Sequence, residues 1–251
     1  MTAKRLGLFV LATTLVLAGT VFAAEFAGEN LEYEFGWKGI AAANASVQIA
    51  EMACDGPCYA ANIDIKGKPY LDMIWRVRDR IKTWAVKADY SPRKYVFYQR
   101  EGGFELDTEI VLDKAEGLLK ATRFRKDKGK ALTPKKAQSA GVFCPLSAIL
   151  YMRAQPLEPG QRYTANVFDG KREHVIEWKV EGREKTKVPA GEFDAKRISA
   201  QVIKSNVADE SSKVEKVRKV TIWVADAPNH LVLRVETQAL WGHIYGELIK
   251  K

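Results

Sequence analysis

Apolar and polar residues alternate with a period of two through most of the chain, the pattern of strands with one buried face. In residues 31–37, Leu31, Tyr33, Phe35 and Trp37 share one face. Ala45, Val47 and Ile49 alternate with Ser46 and Gln48, and Tyr59, Ala61, Ile63 and Ile65 repeat the pattern. Phe104, Leu106, Thr108, Ile110 and Leu112 alternate with Glu105, Asp107 and Glu109, and a turn at Glu116-Gly117 leads into residues 118–124. Further strands are predicted at residues 163–167, 174–180, 196–203, 217–224, 231–239 and 244–249, with a polar loop at 206–213. The whole pattern predicts roughly twelve to fifteen strands. Short turns join them, so antiparallel pairing follows.

The alternation breaks once. Residues 145–153 carry apolar side chains at spacings of three and four, with Pro145 suited to a first helical turn. One helix is predicted there, ending before Pro156. The fold class is all-β: one antiparallel, strongly curved sheet system, as a sandwich or an open barrel, with this one short helix. No linker divides the chain, and residues 126–139 read as a polar loop within a single β-rich domain at 24–251.

The first residues read as an export leader. Lys4 and Arg5 precede an apolar run at 6–19, which ends in Val21-Phe22-Ala23. That order is a secretory signal, residues 1–23, cleaved near Ala23. The run is shorter than the roughly 20 residues that span a bilayer. No Cys follows it to take a lipid, and no later stretch is apolar for long enough to span. A periplasmic protein with no transmembrane segment after cleavage is expected.

The formal charge is +9, and the leader takes away Lys4 and Arg5, leaving +7. A basic exported protein meets anionic headgroups or acidic glycans. Export argues against nucleic acid. Cys54 and Cys58 flank an Asp-Gly-Pro turn, so a small disulfide is the first choice in an oxidising compartment. The alternative is a redox pair, at a spacing unlike C-x-x-C. Cys144 remains, at the head of an apolar segment, as a buried free thiol.

Motifs for catalysis and metals do not stand out. His174, His230 and His243 have no metal-ligand spacing with one another or with Cys, and no G-x-S-x-G or H-E-x-x-H occurs. No catalytic residue, metal ligand or cofactor is assigned. Glu105 and Asp107 share a strand face, where a solvated surface explains them better than glycoside chemistry.

The charged run at 75–80 is the sharper feature. Arg76, Arg78 and Arg80 would share one strand face, with Trp75 and Val77 on the other. Like charges so spaced repel unless paired or solvated. Either acids such as Asp72 and Asp79 pair with them, or they form a basic strip for an anionic headgroup or glycan. The candidate ligand-binding residues are Trp75, Arg76, Arg78, Arg80, Trp37 and Tyr151.

Several pieces in order resemble a known family. They are Gly28-Glu29-Asn30-Leu31-Glu32-Tyr33 with Trp37-Lys38-Gly39-Ile40, then Val77-Arg78-Asp79, then Pro145-Leu146-Ser147-Ala148 with Tyr151-Met152-Arg153. Pro156-Leu157-Glu158-Pro159-Gly160, Gly191-Glu192-Phe193, Thr221-Ile222-Trp223-Val224 with Asp226, and the ending at 242–248 complete the set. The chain is thereby similar to the exported bacterial proteins grouped as domain of unknown function 3108. The resemblance implies a periplasmic β-rich fold and supplies no catalytic residues. The Cys54/Cys58 turn and the basic stretch near Lys126 look like local additions.

Three readings compete. The first is a non-catalytic envelope protein that binds or carries a lipid-like, hydrophobic or amphipathic ligand in a curved sheet. The second is a structural protein that meets an envelope protein partner through sheet edges and a basic face. The third is an envelope hydrolase with an unfamiliar site.

Overall fold

Burial alternates through residues 106–110 as the sequence does, whereas Trp37, expected on one face with Leu31, is exposed beyond a register shift at Phe35/Gly36. The computed structural model describes residues 24–205, 219–239 and 242–251. The proposed leader at 1–23, the polar stretch at 206–213 and the first two residues of the strand expected at 217 lie outside them. The strands are β1 (Asn30–Trp37), β2 (Ile40–Ala53), β3 (Pro57–Gly67), β4 (Arg78–Val86), β5 (Pro92–Glu101) and β6 (Phe104–Asp113). Next come β7 (Leu118–Arg125), β8 (Lys130–Ala131), β9 (Lys135–Gln138) and β10 (Val142–Phe143). The helix α1 (Pro145–Arg153) follows, then β11 (Arg162–Phe168), β12 (Glu173–Val188) and β13 (Gly191–Ser205). The last are β14 (Lys219–Ala225), β15 (Val232–Ala239) and β16 (Gly242–Lys250).

These sixteen strands form one sheet, in the order β10 to β16, then β1 to β8, with β9 also beside β7. Every pair is antiparallel except β10 with β11. β1 pairs with both β2 and β16, so the chain's first and last strands sit mid-sheet. The two ends of the order do not pair, so the sheet is open and no second sheet exists among the described residues. It curls on itself. Gly170, in the β11–β12 turn at φ +88°, lies against Thr108 of β6 and Ala121 of β7. A Cβ there would fall 2.7 Å from the Thr108 methyl, an approach only glycine permits.

The helix plugs the curl. Pro145 opens it, and Cys144 caps it: the Ser147 N–H donates to Cys144 Sγ at 3.4 Å, and Ser147 Oγ accepts from the Cys144 N–H at 3.0 Å. Thr83 of β4 reaches Cys144 Sγ at 3.1 Å, which marks the Thr83 side of β4 as the helix-facing side. Leu146, Leu150 and Met152 pack into a core with Tyr95, Ile110, Leu119, Trp178 and Ile198. Each fully buried side chain of this size contributes about 1.5–3 kcal/mol. A smaller core gathers Leu31, Val188, Ala195, Leu233 and Leu248, where the β12–β13 tip crosses the sheet and the Ala190 N–H donates to Leu248 O.

Two expectations need amending. The stretch at 126–139 is not a plain loop. It holds a single 3-10 turn (Lys126–Lys128), β8, and β9 paired along the first half of β7. Its polarity follows from its place, because short edge strands bearing Lys discourage pairing with other chains. The strand expected at Trp75 begins only at Arg78. Pro69 starts a 3-10 turn (Pro69–Leu71), and the N–H groups of Ile74 and Trp75 both donate to Leu71 O, at 2.9 and 2.7 Å. Those groups are committed to the turn, and Val77 alone bridges to Glu101.

Candidate functional site

The candidate residues from the sequence fall in three places. The first is the outer face of β4. Residues on one strand alternate sides, so Arg78, Arg80, Lys82 and Trp84 face away from the helix while Asp79, Ile81 and Thr83 face it. Arg78 pairs with Asp72, and Arg80 Nε meets Asp64 Oδ1 at 2.7 Å. Arg76 precedes the strand, so the three arginines do not form one row. Their repulsion is relieved by pairing and by the turn.

Ladder register extends Arg80 into a row across the sheet. Asp64 of β3, Arg80, Tyr98 of β5, Asp107 of β6, Phe124 of β7 and Ala131 of β8 are successive cross-strand partners. Cross-strand partners project to one face. Two shallow grooves lie along this row and share Tyr98. One, of about 260 Å³, is lined by Lys66, Arg78, Arg80 and Asp64. The other, of about 400 Å³, is lined by Val96, Phe124, Leu132 and Pro134 with Asp107 and Arg123. The β4 end of the row carries Arg80 paired with Asp64 and Arg78 paired with Asp72, with Lys66 as an added cation, and the β8 end is apolar. Arg100 holds Glu105 at 3.5 Å and Asp107 at 2.5 Å, so both acids are ion-paired on the sheet surface.

The second place is the end of the sheet where β1 turns into β2. Lys38 and Gly39 both take positive φ, 51° and 80°, as a tight two-residue hairpin requires. Trp37 and Ile40 stand exposed on either side, with Ile244 of β16 opposite Trp37. The β3–β4 connector lies across the same end. Its Lys68 N–H donates to Ala42 O at 2.8 Å, the Tyr70 hydroxyl donates to Ala41 O, and Lys68 Nζ meets Glu34 at 2.8 Å. At its far side the Gly102 N–H donates to Arg76 O at 2.8 Å. Between these anchors Tyr70, Met73, Ile74 and Trp75 project outward.

Behind the connector, Asp79 faces inward. Its Oδ1 accepts from the Arg100 N–H at 2.6 Å. Burial raises its carboxyl to about 6; the Arg100 N–H opposes that rise and Glu101 adds to it.

The third place is the core. Tyr151 stacks on Phe143, with centroids 4.5 Å apart, and meets Trp178 edge-on at 6.1 Å. It is a packing residue and does not join Trp37 and Trp75. The disulfide Cys54–Cys58 closes the β2–β3 turn. Cys144 is free and fully buried, and burial pushes its thiol up.

Sequence reasoning missed two clusters. Met73 and Ile74 were passed over because they belong to no alternating run. The signal was that very fact: an apolar stretch after Pro69 with no strand to hold it. The other is a buried charge cluster. Glu29 takes Arg153 in a two-point pair at 2.5 and 2.9 Å, over the Phe26 ring. His230 Nδ1 lies 2.7 Å from Arg153 O, and its Nε2 lies 3.2 Å from Lys196 Nζ. The ring therefore donates through Nδ1 and accepts the ammonium at Nε2, and burial holds its pKa below the usual value. No group of three or more potential metal ligands occurs among the described residues, and no described helix is long and apolar enough to cross a membrane.

The comparisons with known proteins concern fold and family. No curated protein matches the chain. Among solved structures it is similar to a beta-barrel-like protein of domain of unknown function DUF1849 from Brucella abortus, at 10% identity and a TM-score of 0.58. That likeness covers 88% of this chain and 95% of the other, and at such identity it shows the fold alone. A protein described as exported, with a YmcC-like fold, from Bacteroides fragilis aligns at 9% identity and a TM-score of 0.40, covering 90% and 96% of the two chains. The family model described as protein of unknown function (DUF3108) matches residues 32–249, and the chain belongs to that family.

Proposed function

We propose that the protein is an exported, non-catalytic protein of the cell envelope, periplasmic after loss of its leader, that binds an amphipathic, lipid-like molecule with an anionic head. The carrying observation is the cross-strand row from Arg80 through Tyr98 to Phe124 and Ala131. Its basic end suits an anionic headgroup, with Arg80 accessible and Lys66 exposed beside Arg78. Its other end offers Val96, Phe124, Leu132 and Pro134 to an acyl chain. A few placed charges beside an apolar groove is the usual composition of a small-molecule site. The ligand lies on the outer face of β4–β8, because the inside of the curl is filled by α1 and its core partners.

The test is titration of residues 24–251 with lysophosphatidylglycerol and with lysophosphatidylcholine, below the concentration at which either forms micelles. Saturable binding with preference for the anionic lipid is expected. Arg80→Ala and Tyr98→Ser should each weaken it by about tenfold, the loss of one charge-assisted contact or one aromatic wall. No saturation, or binding indifferent to both substitutions, would remove the reading.

A reading in which sheet edges capture a protein partner finds little support in the geometry. The end strands β8 and β10 have two residues each, and β9 presents Lys135 and Lys136.

A further inference from the structure

The β1–β2 turn and the β3–β4 connector leave an apolar tip that no part of the described chain covers. Met73 is 96% exposed and Ile74 81%, and Trp37, Ile40, Tyr70 and Trp75 stand exposed around them. Single exposed apolar residues are ordinary, but a contiguous group on one end of a protein marks a contact surface. Tyr70, Met73, Ile74 and Trp75 sit in the connector, and Trp37 and Ile40 are already paired within the sheet, so their backbones offer a partner no open ladder to extend.

The charges around the tip say what the contact is. Lys38, Lys66 and Arg76 are exposed and have no carboxylate within ion-pair distance among the described residues. Lys38 instead lies over the Trp37 ring at 5.1 Å. The nearby acids are already engaged: Asp72 by Arg78, Asp64 by Arg80 and Glu34 by Lys68. The end is thus net positive around an apolar point, with Trp37, Trp75 and Tyr70 exposed at the same end. Aliphatic tips enter the acyl boundary, aromatic side chains settle at headgroup level, and Lys and Arg meet anionic headgroups. A protein hot spot favours aromatic anchors seated in well-packed pockets, whereas Met73 and Ile74 protrude from a turn.

We infer that this end of the protein docks on a bilayer surface bearing anionic lipid, with Met73 and Ile74 entering the acyl boundary. The tip shares Lys66 with the basic end of the outer-face groove, but its apolar point, Met73 and Ile74, does not line that groove and does not depend on what the groove binds.

Flotation of residues 24–251 with vesicles tests this, using phosphatidylcholine alone and phosphatidylcholine mixed with phosphatidylglycerol. The wild type should float with the mixed vesicles, less with the neutral ones, and should be partly released by high salt. The M73E/I74E variant should lose more than about tenfold in vesicle affinity, because two exposed side chains no longer gain from burial. Its circular dichroism should stay that of the wild type. In the unsubstituted protein, brominated lipid should quench a fluorescence component that Trp75→Phe removes. Absence of flotation with mixed vesicles, equal flotation by M73E/I74E, or absence of that quenching would overturn the inference. So would these residues mediating self-association without flotation.

Discussion

Trp75 rests on Gly102. The indole carbons Cε3, Cδ2 and Cζ3 lie 2.6–2.7 Å from the point where a Cβ on Gly102 would project, and Gly102 holds φ +53°. The β5–β6 turn thereby supports one side of the apolar tip, while Trp75 keeps half its surface in solvent.

Gly102→Ala should unseat Trp75. The methyl cannot share space with the ring, and the left-handed backbone adds strain, together about 1–3 kcal/mol. Urea unfolding reads the loss, and flotation with anionic vesicles should weaken with it. An unchanged midpoint would mean that the ring does not press on the turn.

Asp79→Asn should stabilise the protein at neutral pH. The folded carboxyl titrates near 6, above the unfolded value of about 3.9. The folded state therefore holds the proton more tightly between those values. The contribution of the group is fully present below the unfolded pKa and is lost as pH rises through 6. Asn keeps an acceptor for the Arg100 N–H and carries no charge. The gain should be about 1–2 kcal/mol at pH 7 and near zero at pH 4. Equal effects at both pH values would contradict a titrating origin.

Arg153→Met should cost about 3–5 kcal/mol, because Glu29 is left as a buried, uncompensated charge. Adding Glu29→Gln should recover part of that loss, as a double-mutant cycle measures. His230 in the same cluster gives the opposite pH sign to Asp79. Its folded pKa is depressed, so stability is complete above the unfolded value of about 6.5 and falls as pH drops through the depressed folded value.

Cys144 should not react with a thiol reagent in the native protein, and only unfolding should expose it. Cys144→Ala removes the acceptor at the helix start and should cost about 1 kcal/mol. Mass spectra before and after reduction should differ by the two hydrogens of the Cys54–Cys58 bond.

Much of this architecture was legible in the sequence because one physical rule generates it. Strict alternation in Phe104–Leu112 gives one buried face, and the three-and-four spacing at Pro145–Arg153 can only be helical there; in Leu31–Trp37 a register shift at Phe35/Gly36 breaks the alternation and leaves Trp37 exposed. The number of sheets was not legible, since sandwich and open barrel share the same local pattern and differ in which distant strands meet. That Glu29 would reach Arg153, and that β1 would pair with β16, are outcomes of chain closure over more than a hundred residues. The arginine run misled in one respect. Alternation alone carried a strand back to Trp75, whereas Pro69 and the Leu71 carbonyl hold that stretch as a turn. The candidate residues Arg78 and Arg80 were visible as charges. Their neighbours Tyr98 and Phe124 needed the register of β4 through β7.

Native and denaturing mass spectra of residues 24–251, purified gently after export to the periplasm, test the central claim most directly. A bound mass matching an anionic, acylated lipid is expected, lost on denaturation and depleted in R80A and Y98S. A clean unliganded mass, or a retained lipid indifferent to both substitutions, would contradict a binding site on the outer face of β4–β8.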